Sequence, residues 1–489
     1  MKRNSLKWLW FLITCIYVFF LSCEKNDNGA VPDPVEVETS ISSETLKVNK
    51  FINDDVKDYY LWTSTINWTT IYPQLEVDPF AFFDRLMYKN EDKWSMLTDD
   101  AQSFNNMLDG IVTSFGYELI WGRLTNTNSL FAIVLYVYPG SPAEKAGLQR
   151  GDFLVTVNGN NYITEDNYLD LYDASSISLG RAFLSDEGDL VLDSKLVYME
   201  AVTMYEDPVV KDTVIVRGSH TIGYLFYTSY TAESEKRLQE VFTGFKTQGV
   251  TDIVLDLRYN GGGYARTACL LSSILAPGRT VRQKDIFLTQ TWNAAMTTYF
   301  KQTGEDTNEY FMDNLSVNMD LSRLYVLTLR YTASASEATM IGLKPYMDVI
   351  QIGESTHGKY YGGALLDPMV YDSRKNQWII DNEIENWLMY LMVYRYADRT
   401  GNISFSGGLE PDIYAEEDYG YVLPPLGDER DPLFGKAMEM ITGESVRTRA
   451  ASLPHPHTID GIKLRSPLNG KMIHEFKKSK INRIVHVEP

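Results

Sequence analysis

The chain has 489 residues, enough for several domains, with 44% hydrophobic residues and a formal net charge of −20. So acidic a chain argues against nucleic acid or an anionic membrane surface as a partner. Of three cysteines, two lie within the first 23 residues, so Cys269 has no partner for an intrachain disulfide in the body, and no His or Cys spacing points to a metal or other cofactor.

Lys2, Arg3 and Lys7 precede an apolar run over residues 8–21 that ends at Ser22-Cys23. The run is shorter than the ~20 residues a membrane-spanning helix needs, and its basic start and small-residue end have the form of an export signal. Phe20-Leu21-Ser22-Cys23 resembles a bacterial lipoprotein cleavage box, with Phe20 in place of the usual aliphatic residue. The resemblance implies a signal peptide over 1–22, acylation of Cys23 and a membrane contact through that lipid anchor. A plain signal or an uncleaved anchor is the alternative. Residues 23–44 are polar, contain Pro32 and Pro34, and read as a flexible tether.

Residues 45–109 read as a helical region in which Trp62, Trp68, Phe80, Phe82, Phe83, Leu86 and Met87 supply apolar bulk. Residues 110–204 read as a small α/β module. A strand over 131–138 leads into Pro139-Gly140-Ser141-Pro142-Ala143-Glu144-Lys145-Ala146-Gly147, which encodes a short helix. Ser141 is its N-cap, Pro142 fills the first turn, Glu144 completes a capping box and Gly147 closes the end. A strand over 153–157 ends at Asn158-Gly159, and a further helix is expected from near Thr164, carrying Tyr168, Leu169, Leu171 and Tyr172. These segments resemble a PDZ domain. The resemblance places a carboxylate-binding loop at Ser114-Phe115-Gly116-Tyr117, making Phe115, Gly116 and Tyr117 peptide-binding candidates, and assigns Glu118-Leu119-Ile120 to the strand that pairs with a peptide.

Residues 205–443 form the largest segment. A strand over 222–227, a helix over 232–247 and a strand over 250–257 make a βαβ unit, which implies parallel pairing. Asp256-Leu257-Arg258-Tyr259-Asn260-Gly261-Gly262-Gly263 follows, and its glycines allow φ > 0 and close approach of backbone to a ligand. No Gly-Lys-Ser/Thr accompanies them, so the loop is not a P-loop. Asp256 and Arg258 read as groups that hold the loop. Residues 280–319 are polar and aromatic and read as an insertion covering the site.

Residues 324–329 read as a buried strand and 335–347 as a helix, so Ser334 stands where one ends and the other begins. Helix N-terminal N–H groups and the dipole there favour an oxyanion. A second strand over 349–352 returns to the same edge and runs into Glu354-Ser355-Thr356-His357-Gly358-Lys359. A serine hydroxyl needs a base, and a lysine made neutral by burial can serve, which requires a depression of roughly three units from ~10.4. His357 reads as a solvated or structural loop residue.

Thr332-Ala333-Ser334-Ala335-Ser336-Glu337, followed by Gly358-Lys359, resembles the signature of the C-terminal processing, or tail-specific, serine peptidases. In that family the nucleophile is the middle serine of Ser-Ala-Ser-Ala-Ser-Glu and the lysine follows 25 positions later; here 359 − 334 = 25. Thr332 replaces the first serine, and Gly363 stands where the family has a glutamine, which leaves the group that orients the lysine unidentified. The glycine loop resembles the family's Asp-Leu-Arg-x-Asn-Pro-Gly-Gly, with Gly261 for the proline. By resemblance, Ser334 attacks, Lys359 is the base, and the N–H groups of Gly262 and Ala335 form the oxyanion hole. The implied fold is a multidomain α/β one: a crotonase/Clp-like α/β protease core, an inserted or preceding PDZ domain and an N-terminal helical region. The implied activity is hydrolysis of protein or peptide substrates by an exported cell-envelope lipoprotein without metal or cofactor. A non-catalytic peptide- or ligand-binding lipoprotein on the same scaffold, and a hydrolase of non-peptide esters, compete with it. Residues 444–489 form a basic tail, either a solvated extension or a segment docked on the acidic body.

Overall fold

The computed structural model describes residues 41–124, 127–159, 161–185, 190–402, 405–417, 419, 423–445 and the backbone of 472–474. Cys23, the signal and nearly all of the tether lie outside the described residues, as does most of the basic tail. Among the described residues no helix is long and apolar enough to cross a membrane.

A six-stranded sheet organises the body, in the order Val209–Arg217, His220–Tyr227, Asp252–Asp256, Arg323–Thr328, Asp348–Gly353, Ile413–Tyr414. The first pair is antiparallel and the rest are parallel, as a βαβ repeat requires. The apolar runs of the sequence are explained by burial on both faces. Leu324 and Val326 join one core with Leu238 and Ala338, from the helices Ser234–Thr247 and Ala335–Leu343. Tyr325 and Leu327 join the other with Leu433 and Phe434 of the helix Pro432–Thr442.

A second sheet runs Gly263–Tyr264, Met472–His474, Tyr361–Leu366, Leu388–Ala397, Ile286–Trp292, Glu309–Tyr310, with Met96–Thr98 also on Leu388–Ala397. Residues 280–319 are therefore more than a polar cover. They supply the strand Ile286–Trp292 and the helix Ala294–Thr303, and Phe287, Leu288 and Met296 are buried. Few apolar residues suffice there because the strand is flanked by strands on both sides.

The N-terminal region is helical over Ser43–Tyr59, Pro79–Leu86 and Ala101–Leu108, capped by the side chains of Ser42, Asp78 and Asp100. Its strand Met96–Thr98, which helical patterning does not foretell, ties it to the second sheet.

The PDZ module is a sheet ordered Tyr117–Arg123, Leu130–Val137, Phe153–Val157, Ser176–Leu184, Leu190–Glu200, with antiparallel neighbours. Ser141 caps the helix Pro142–Lys145 by accepting the Glu144 N–H. The helix expected from Thr164 is reduced to one turn, Asp170–Asp173. Asn167 accounts for this: its side chain accepts the Thr164 N–H at 2.8 Å and donates to the Tyr162 carbonyl at 3.2 Å, offering the backbone a local alternative to helix.

Candidate active site

Three loops leave the carboxyl ends of the parallel strands Asp252–Asp256, Arg323–Thr328 and Asp348–Gly353, where open α/β sheets bind ligands. They carry Gly262, Ser334 and Lys359. The first two loops are stitched together: the Ala333 N–H and the Ser336 hydroxyl both donate to the Asn260 carbonyl, at 3.0 and 3.1 Å. The Thr332 hydroxyl donates to the Leu257 carbonyl at 2.8 Å, so threonine serves where the family has serine.

Ser334 precedes the helix Ala335–Leu343 with φ 59° and ψ −110°. That is the backbone of the first central residue of a type II′ turn, ordinarily glycine, and it is strained in any other residue. The Ser334 side chain is fully buried, and its hydroxyl oxygen has no hydrogen-bond partner among the described residues. Strain and an unpaired buried hydroxyl on one residue mark a site held ready for a reacting group rather than one optimised for stability.

Lys359 is also fully buried. Its loop turns at Gly358, φ 88°, where a Cβ would meet backbone of Ser406 and Gly408 at 2.7 Å. The Lys359 Nζ lies 3.5 Å from the Tyr390 hydroxyl and over the rings of Trp94 and Tyr390, 5.1 and 5.8 Å from their centroids. Gly363 explains this neighbour. A Cβ there would lie 2.5 Å from Tyr390 ring carbons and from the Met392 methyl, so a glutamine and this tyrosine exclude one another. Tyr390 fills the room left by the missing side chain and brings its own hydroxyl to the amine.

Two groups absent from the expected site bind Ser334 and Lys359 to each other. The buried Glu337 carboxylate accepts the N–H groups of Ser334 at 2.7 Å, Gly358 at 2.6 Å and Lys359 at 3.0 Å, and the Thr356 hydroxyl at 2.5 Å. Burial raises its pKa to about 7, against the lowering effect of these four bonds. The Tyr396 hydroxyl reaches the Ser334 carbonyl at 3.0 Å and the Lys359 carbonyl as well. One carboxylate thus holds both amides, and one hydroxyl both carbonyls.

Ala335 is the first helical residue, where a backbone N–H has no partner within the helix. Gly262 has φ 110°, but its N–H donates to the Asn260 side-chain oxygen at 2.9 Å. Asn260 has to release it before it can meet a second acceptor. Arg258 is fully buried and pairs with Asp256, Asp431 and Glu417. Arg150 of the PDZ module pairs with the same Glu417 and donates to the Tyr259 hydroxyl at 3.1 Å, linking that module to the glycine loop. His357 has an exposed side chain, and its backbone N–H donates to the Thr332 carbonyl at 2.9 Å. Phe115, Gly116 and Tyr117 line a cavity of about 120 Å³ with Leu171 and Tyr172. Gly116 has φ 78°, and a Cβ there would strike Ser141 at 2.2 Å. Cys269 is buried and free, and burial pushes its thiol pKa up.

Glu337 ends the stretch Thr332-Ala333-Ser334-Ala335-Ser336-Glu337 with no role read for it there, although its spacing of three from Ser334 is a signal that could have found it. Tyr390 and Tyr396 lie in an apolar strand with nothing to separate them from core tyrosines, and Trp94 from core tryptophans.

The structure thus joins the backbones of Ser334 and Lys359 through Glu337 and Tyr396, while the Ser334 hydroxyl makes no hydrogen bond to the Lys359 amine. Residues 221–415 match the family model Peptidase family S41, residues 133–179 the PDZ domain, and residues 47–96 the Peptidase S41 N-terminal domain. Residues 221–415 thus belong to peptidase family S41, with that family's N-terminal domain and a PDZ domain ahead of them. It is 29% identical over 264 residues to the chloroplastic C-terminal processing peptidase of Tetradesmus obliquus, covering 51% of this chain and 52% of that one. It is 23% identical over 419 residues to the carboxy-terminal processing protease CtpA of Bacillus subtilis (strain 168), covering 85% and 78%. The chain spans about half the length of the Tetradesmus relative. A solved protein of Bacteroides fragilis NCTC 9343, assigned to the S41 proteases, is similar with a TM-score of 0.66 and 25% identity, over 80% of this chain and 97% of that one.

Proposed function

We propose that this chain is a serine endopeptidase in which Ser334 and Lys359 carry the chemistry. Ser334 Oγ attacks the carbonyl carbon of a peptide bond while Lys359, taken as the neutral amine that burial favours, accepts the hydroxyl proton. The oxyanion is met by the Ala335 N–H and by the Gly262 N–H once Asn260 yields it. Lys359 then returns the proton to the leaving amine, and water, deprotonated by the same lysine, releases the acyl group. The observation that carries this reading is the junction itself: a strained, unpaired, buried serine hydroxyl whose backbone shares one carboxylate and one tyrosine hydroxyl with a buried lysine.

The substrates in this reading are exported proteins, and the PDZ module takes their C-terminal or extended segments at Phe115, Gly116 and Tyr117. Residues 1–22 are removed, Cys23 is acylated, and the enzyme works at the cell envelope, tethered by 23–44. The helical region over 45–109, the PDZ module over 110–204, the peptidase core over 205–443 and the tail over 444–489 divide the work. Support comes from the Lys-Arg start, the apolar run and the Ser22-Cys23 end; mass spectrometry of the mature N-terminus showing an unmodified Cys23 defeats that part.

The test of the chemistry is a fluorophosphonate label that disappears in Ser334→Ala, together with casein cleavage that is lost in Lys359→Ala. If neither signal is found across pH, the chain is a peptide-binding protein on a peptidase scaffold. Label and ester turnover without proteolysis point to an esterase.

A further inference from the structure

The strand Met472–His474 lies between two segments of the candidate site. On one side it runs parallel to Gly263–Tyr264, with Met472 opposite Gly263 and Ile473 opposite Tyr264. On the other it runs parallel to Tyr361–Leu366, with Ile473 opposite Gly363 and His474 opposite Ala364. Gly263 adjoins Gly262 of the oxyanion loop, and Tyr361 follows Lys359 by two residues. Among the described residues, Met472–His474 is thus the strand that bridges the two walls in this sheet.

Neither wall closes the space by itself. Strands in a sheet lie ≈ 4.7–4.9 Å apart, so walls with one strand between them stand roughly 9.5 Å apart. The Gly263 wall is backed by Tyr230: its carbonyl accepts the Tyr264 N–H at 2.7 Å, and a Cβ on Gly263 would strike it at 2.3 Å. The other wall is backed by Leu388–Ala397. Both are held, and each presents backbone donors and acceptors that an extended chain satisfies and that stay unpaired toward the slot without one. Glycines 263, 362 and 363 put no side chain into it. Such a slot reads main chain rather than sequence, so its ligand class is an extended polypeptide added as a parallel strand.

We infer that this slot is the channel in which an extended substrate passes Ser334 and Lys359, and that the chain's own tail, through Met472–His474, fills it in cis and must be displaced for turnover. The channel rests on the peptidase reading; the occupancy by the tail does not. Charge favours the occupant: residues 444–489 hold nine Lys and Arg against four Asp and Glu, so the tail is +5 and the rest of the chain −25 within the total of −20. The Gly262 N–H, held by Asn260 while the tail sits on Gly263, fits a site at rest.

The test uses the full chain with Ile473→Pro, because proline removes an N–H and cannot sit in a strand paired on both sides. The probe is a fluorescein-labelled peptide of residues 466–480, followed by anisotropy in a Ser334→Ala background so that nothing turns over. Ile473→Pro is expected to bind the peptide at least ~10-fold more tightly than the unaltered tail allows, since a tethered competitor acts at millimolar effective concentration. With Ser334 restored, casein cleavage by Ile473→Pro is expected to exceed wild type, with KM lowered. Hydrogen exchange supplies a second reading: in the wild type the amides of residues 361–366 that face the tail are protected, and Ile473→Pro loses protection at those amides while the ones bonded to Leu388–Ala397, and residues 323–328, keep theirs. Equal peptide binding by both chains, no binding by either, or fast exchange in the wild type at the amides of 361–366 that face the tail overturns the proposal. Peptide binding that differs as expected with no casein cleavage in any variant leaves the slot and its occupant standing and removes the peptidase reading.

Discussion

Glu337→Gln isolates the group that holds Ser334 and Lys359 in one frame. The substitution keeps size and shape and removes one acceptor oxygen. Oε1 accepts Gly358 N–H and the Thr356 hydroxyl, and Oε2 accepts the N–H groups of Ser334 and Lys359, so an amide nitrogen on either side faces two buried donors. Each donor left unpaired costs about 1–3 kcal/mol, so the pair costs roughly 2–6 kcal/mol. Thermal unfolding is expected to fall by at least about 4 °C. Casein turnover is expected to fall by ~10²-fold, the cost of misplacing a reacting group by about 1 Å. The pH dependence is a further check. Burial raises the Glu337 pKa from its ordinary 4.5 to about 7, so the folded chain binds the extra proton between those values. Stability from this group is therefore greatest below 4.5 and is lost as pH rises through about 7, so the gap between wild type and Glu337→Gln narrows over that range. Unfolding within a degree or two of wild type at every pH, with turnover within threefold (about 0.65 kcal/mol), would refute the reasoning.

Three other outcomes follow from the same geometry. Ser334→Gly and Ser334→Ala both lose the hydroxyl, but glycine relieves a backbone strain of order 1–3 kcal/mol, so Ser334→Gly is expected to melt above Ser334→Ala; equal melting denies the strain. Tyr390→Phe keeps the ring over Lys359 and removes the hydroxyl 3.5 Å from its Nζ, so kcat/KM is expected to drop within ~10-fold with a displaced pH profile, and an unmoved profile denies Tyr390 an orienting role. Arg150→Met strips a buried cation from Glu417 and is expected to cost about 3–5 kcal/mol in denaturant unfolding, partly recovered by adding Glu417→Gln; additive losses from the two would speak against a shared pair.

Local chemistry was legible before any fold was known. The strand that ends at Thr328, the helix that begins at Ala335, the cap at Ser141 and the glycine turn beside Asn260 follow from residue types and their near neighbours. Where expectation and structure part, a longer-range partner decides. Asn167 folds back on Thr164 and Tyr162 and prevents the longer helix. Residues 280–319 gain a strand because Leu388–Ala397 offers an edge to pair with. The gap left at Gly363 had no visible answer in sequence, because Tyr390 is 27 positions away and reaches Lys359 only through the register that sets Leu365 opposite Tyr390.

The sequence by itself determined which residues meet the local demands of the site: a serine at a strand-to-helix break, a lysine behind a second strand, glycines where backbone must come close. Capping, positive φ and two-residue periodicity act over a few bonds, so they are written in short stretches. Only the tertiary structure decided that Glu337 and Tyr396 hold the two reactive residues together, that Trp94 and Tyr390 enclose the amine, and that Met472–His474 lies between the glycine loop and the strand after Lys359. Those pairings join segments tens to hundreds of residues apart, and their choice depends on the register and packing of whole sheets, which no short stretch encodes.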